Sequence, residues 1–173
     1  MKKLTQVLFI ILTLALIQNS VQAADSGYTL PLNLAVKAAK EAVRFCEASG
    51  YHITATVVDM SGQIKVQLKG DRSTIHTKDT AFRKAYTVVT LGSVFKLDTS
   101  TQVAKLMMNN PNKPAFLTVP MITPLPGAVA IKANNEIVAA IGVGGAPGGA
   151  PGGAKDEACS KAGMLIIADK LPK

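Results

Sequence analysis

From residue 34 onward, Leu34, Ala35, Ala38, Ala39, Ala42, Val43 and Cys46 recur at three- and four-residue spacing, one apolar face of a helix. Thr29-Leu30-Pro31 offers an N-cap and a first-turn proline for it, and Gly50 closes it. The period then changes. Ile53 to Val58 is apolar and β-branched, Asp59-Met60-Ser61-Gly62 is a turn, and Gln63 to Leu68 alternates polar with apolar, which predicts two antiparallel strands with the first more deeply buried. Gly70-Asp71 ends this hairpin, and a second helix is predicted from Thr77 to Thr90 with Ala81, Ala85 and Val88 on one stripe.

Ser93 to Pro126 contains five prolines and the cluster Asn109-Asn110-Pro111-Asn112, so it reads as irregular, with a short helix over Thr101 to Met108, covering one end of a sheet. Ala128 to Ala133 and Ile137 to Val143 are strand-like runs around Asn134-Asn135, two residues that tolerate the positive φ of a tight hairpin. The Gly/Pro-rich loop 144–153 holds Ala-Pro-Gly-Gly twice in succession, and a last helix is predicted over Lys155 to Lys170. Hairpins dominate over parallel crossovers. The expected fold is therefore α/β of the α+β type, an antiparallel β-sheet flanked by helices in a single domain.

The first 23 residues stand apart from this domain. Lys2 and Lys3 precede the apolar run Val7 to Ile17, and Val21-Gln22-Ala23 supplies small residues for cleavage, the pattern of a secretory signal peptide. The apolar run has 11 residues, against the roughly 20 that span a bilayer. Export with cleavage after Ala23 is expected, giving a periplasmic or secreted protein, residues 24–173, with no membrane insertion. Its formal charge of +8 then falls by two, to +6. Scattered basic residues and only three Tyr and five Phe argue against nucleic acid and for a small anionic ligand or a protein partner. Cys46 and Cys159 lack metal-ligand spacing, and each falls on an apolar helical stripe; they are either a disulfide pair or two buried thiols.

The chain has no G-x-S-x-G, H-E-x-x-H, C-x-x-C or Walker A sequence, and two histidines cannot build a multi-histidine metal site. Candidate chemistry concentrates between Gly70 and Thr87. There His76 stands at a helix entry among Arg72, Lys78, Arg83 and Lys84. An imidazole can ligate a metal and the cations can meet carboxylates such as haem propionates, whereas a plain helix-flanking residue is the simpler role. Lys84, with Asp59 or Asp71 as partner, is either a buried ion pair or a proton-transfer lysine. The stem Gly142 to Gly145 is a candidate ligand contact, and His52 has no assigned role.

Val57-Val58-Asp59 with Gly62, then Asp71, Thr77, Ala81 and Lys84-Ala85-Tyr86-Thr87, Pro126-Gly127 before Ala128-Val129-Ala130-Ile131, Ala140 to Ala146 and Asp156-Glu157-Ala158-Cys159 together form a pattern. It resembles the GlcG/HbpS family of haem-binding proteins, the group that includes the C-terminal domain of PduO, from about Leu30 to about Asp169. The resemblance implies a profilin-like antiparallel sheet, assembly into homo-oligomers and haem binding, with haem degradation or redox sensing in some members. It makes His76 the candidate iron ligand; the neighbouring cations Arg72, Arg83 and Lys84 are then the residues placed to meet the propionates, and Gly142 and Gly144 stay candidate ligand contacts from the loop stem.

Three functions follow as expectations. The first is an exported haem-binding protein that sequesters or senses haem, in which His76 is indispensable. The second is an enzyme or enzyme accessory that binds a small organic acid, with Lys84 and Asp59 exchanging a proton and the glycine loop holding the carboxylate. The third is an oligomer-forming structural module.

Overall fold

The computed structural model describes residues 27–148 and 152–173; the expected signal peptide and part of the duplicated Ala-Pro-Gly-Gly lie outside the described residues. Helix α1 (Leu32–Glu47) leads into the hairpin β1 (Thr54–Asp59) and β2 (Ile64–Lys69), followed by α2 (Thr77–Thr87). Three short helices come next, α3 (Ser93–Phe95), α4 (Ser100–Met108) and α5 (Lys113–Thr118), then the hairpin β3 (Ala128–Ala133) and β4 (Glu136–Gly144), and finally α6 (Ala154–Leu165). The strands form one sheet in the order β2-β1-β4-β3, every pair antiparallel.

Strand alternation sorts the sheet into two unlike faces. Ala55 and Val57 of β1 and Ala139, Ile141 and Val143 of β4 join Ala35, Ala38, Ala39 and Ala42 of α1 in the larger core. The alanine stripe keeps α1 close to both its neighbours. At Gly163 of α6 an added methyl would press on the Ala38 carbonyl and on Ile141, so the two helices meet nearly backbone to backbone. Cys46 and Cys159 are disulfide-bonded across this contact, which selects the first of the two cysteine states open from sequence.

On the opposite face lie Val58, Ala128, Ala130 and Ala140, covered by Ala85, Val88 and Val89. Gly142 and Gly144 belong to this face too. A methyl at Gly142 would run into the Ala81 carbonyl and the Ala85 N–H, and one at Gly144 into Thr80, so glycine here lets α2 lie directly on β4.

Several boundaries differ from the sequence expectation. The first helix begins at Leu32 with Pro31, not Thr29, as its extended N-cap. The second continues through a π-helical turn, Val88–Gly92, into α3, and the last stops at Leu165 before a separate turn at Ala168–Lys170. The segment 93–126 carries three helices despite its prolines. Thr99 caps α4 in a reciprocal capping box with Gln102, and Pro114 sits in the first turn of α5 where its missing N–H costs nothing. Val103, Met107 and Ile122 form a third core with Tyr86, Leu91 and Leu97, so this segment packs against the far end of α2. The Asn134-Asn135 hairpin has the expected positive φ at both residues.

Candidate functional site

Helix α2 divides the candidate residues between its two sides. Its entry is fixed from inside by three buried hydroxyls, Thr54 Oγ1 to Thr77 Oγ1 at 2.8 Å, Ser73 Oγ to Thr77 Oγ1 at 2.7 Å and Thr54 Oγ1 to Ser73 Oγ at 3.1 Å. Arg72, at φ +62°, turns the chain into this entry, and Ser73 N–H closes the turn on the Gly70 carbonyl. With Thr77 held inward, helical geometry sends His76 outward. Its imidazole is exposed at the N-cap, Nδ1 lying 3.3 Å from Thr74 Oγ1.

Arg83 follows seven residues later, on the same outer face and about 10 Å along the helix axis. It donates from Nη2 to the Ile122 carbonyl at 2.8 Å, while its buried Nε has no acceptor. Ile75, beside His76, is 79% exposed. Arg72 and Lys78 are exposed, and Lys78 lies 3.6 Å from Asp79. The outer face thus offers an imidazole, an exposed apolar side chain and cations.

Lys84 points the other way. It is 5% exposed and its ammonium donates to the Asp156 carboxylate at 2.7 Å and to the Val143 carbonyl at 2.9 Å. Asp156 Oδ1 accepts from Ala146 N–H at 2.9 Å. Burial pushes the Asp156 pKa up, and Lys84 and the backbone N–H groups of Ala146 and Gly145 pull it only part of the way back. Gly127, at φ +132°, lies so close that a methyl there would touch Lys84 Nζ and Asp156 Cβ. Lys84 and the glycine stem therefore do converge, but on the protein's own carbonyl and carboxylate.

The pairing of Lys84 with Asp59 or Asp71 is replaced by Asp156, 72 residues away, a partner that no spacing in the sequence indicates. Asp59 is engaged at the hairpin turn, where Oδ1 accepts from Ser61 N–H, Ser61 Oγ and Gln63 N–H. Partial burial raises its pKa, and these hydrogen bonds overcome that effect and hold it below the usual carboxylate value. The faces of Gly142 and Gly144 are filled by α2 and offer no cradle to a ligand. His52 begins the approach to β1, and its carbonyl is where a methyl on Gly145 would land.

The profile of a family described as haem-degrading protein, HbpS-like, matches residues 30–164. The crystal structure of HbpS superposes with a TM-score of 0.71 at 32% identity, covering 81% of this chain and 91% of that one. A doubly Glu-to-Asp substituted HbpS of Streptomyces reticuli gives 0.70 at 33% identity, over 81% and 88%. The haem complex of PduOC shares the fold, with a TM-score of 0.66 at 13% identity over 81% and 96%. No curated protein matches the chain.

Proposed function

Because the chain belongs to the HbpS-like haem-degrading protein family, we propose that it binds haem through His76, with Arg83 and Arg72 meeting the propionates. The observation that carries this reading is the outer side of the α2 entry, where the exposed imidazole of His76 lies beside the exposed Ile75, with the half-buried Arg83 two turns further along the same face as His76. Those residue types fit the group: a neutral imidazole for the iron, an aliphatic surface for the macrocycle, guanidinium for carboxylates. Lys84 is left out of the contact set, since it is committed to Asp156. Bound haem would supply an iron centre open to ligand exchange and redox change. His76 would hold it and Arg83 would orient it.

The reading also places the protein outside the cytoplasm, sequestering or sensing haem, with degradation as a further activity. The signal-like leader supports export, and the Cys46–Cys159 disulfide suits an oxidising compartment. Titration with haemin should reach a stoichiometric Soret-absorbing complex. Arg83→Ala should weaken binding of haemin and leave that of haemin dimethyl ester, which has no propionate charge, unchanged. Equal weakening with both ligands would remove Arg83 from the propionate role, and absence of a saturable complex would remove the function.

A further inference from the structure

Glu157, Lys161 and Met164 recur at helical spacing along α6 and form one wall of a groove of about 590 Å³, within the size range of small-molecule sites. The other wall is β3, and Val129, Met164 and Leu171 give the groove an apolar floor. Charges of both signs stand over this floor. Asp98 and Lys132 satisfy each other at 3.2 Å, and Lys173 stands unpaired at the rim. A glutamate four residues before a lysine on a helix ordinarily pairs with it, yet among the described residues no ion pair joins Glu157 to Lys161. Thr101 holds the carboxylate instead, donating to Glu157 Oε2 from Oγ1 at 2.5 Å and from its N–H at 3.3 Å. Glu157 Oε1 and Lys161 Nζ have no hydrogen-bond partner among the described residues. An anion and a cation therefore stand open on one groove wall, about 6 Å apart along the helix axis.

We propose that this groove binds a dipeptide with free termini and an apolar side chain. The ligand's ammonium donates to Glu157 Oε1, its carboxylate accepts from Lys161, and its side chain lies over Val129, Met164 and Leu171. Both contacts are charge-assisted hydrogen bonds over an apolar floor, where such bonds are strongest. The mixed charge of the wall selects a ligand that carries both signs, because a fatty acid would leave Glu157 without a partner and an alkylamine would leave Lys161 without one. Length selects within that class. Extended residues span about 3.3–3.6 Å each, so two residues match the separation of Glu157 and Lys161, one falls short and three overshoot.

Isothermal titration calorimetry with Ala-Leu tests this without haem. The wild-type chain should bind Ala-Leu saturably at one site, and Ala-Leu amide, N-acetyl-Ala-Leu, leucine and Ala-Ala-Leu at least tenfold more weakly. Lys161→Met, a substitution at an exposed position whose fold is checked by thermal melting, should weaken Ala-Leu at least tenfold and leave the amide, which has no carboxylate, unchanged. Glu157→Gln keeps an acceptor for Thr101 and should weaken Ala-Leu while leaving the N-acetyl form unchanged. Equal binding of free and blocked dipeptides, indifference of Ala-Leu to Lys161→Met, or no saturable binding would overturn the proposal. So would laurate binding as tightly as Ala-Leu.

Discussion

Breaking the Cys46–Cys159 bond should be the most damaging single covalent change to this domain. The two cysteines are 113 residues apart, so the bond closes a long loop that takes in most of the domain. Loop-closure entropy for such a length amounts to about 4.8 kcal/mol of stabilisation through the unfolded state. Total stability for a domain is about 5–15 kcal/mol, so the bond is a large share of it. For a domain of this size each kcal/mol moves Tm by roughly 2–4 °C, which predicts a drop of roughly 10–20 °C for Cys46→Ala/Cys159→Ala. Cys46 is fully buried and Cys159 2% exposed, so a reductant should act slowly below the transition and rapidly within it. Differential scanning calorimetry of the wild-type protein, with and without dithiothreitol, and of the double variant measures the effect. Melting temperatures within about 2 °C of each other would refute the loop argument.

Lys84→Met should cost about 3–5 kcal/mol by leaving Asp156 buried without its cation, while Lys84→Met/Asp156→Leu recovers most of that; equal losses in urea melts would contradict a pairing origin. Gly142→Ala should cost about 1–3 kcal/mol or more, because its methyl meets backbone atoms of α2 that no side-chain rotation can relieve, and an unchanged melt would show that α2 can lift off β4. Asp59 has a folded pKa below its unfolded value, so its contribution is present above the unfolded pKa and lost as pH falls through the folded one. Asp59→Asn should therefore flatten the acid limb of the stability curve and leave its slope near neutrality alone, and an unaltered acid limb would contradict this.

The hairpins, their order and the antiparallel sheet were legible because strand periods and the Asn134-Asn135 turn are local signals. The outward setting of His76 was legible only in part, since it depends on Thr77 being claimed by Thr54 and Ser73 from other segments. Lys84 shows the limit more clearly. A buried ion pair is one of its two readings from sequence, with Asp59 or Asp71 as the partner, yet the carboxylate that binds it comes from α6, and only the assembled sheet brings the two together. The glycines at 142 and 144 looked like an open ligand stem because a missing side chain reads the same whether a ligand or a helix fills the space. Here α2 fills it. The groove on the β3 edge has no sequence signature, being built from β3, α6 and the residues around Leu171.

Ligation of haem iron by His76 is tested most directly by the Soret spectrum of the ferric complex in wild type, His76→Ala and His52→Ala. His76→Ala should abolish or shift the band, with an intact fold by circular dichroism, and His52→Ala should match wild type. Unchanged spectra and stoichiometry in His76→Ala would contradict the account.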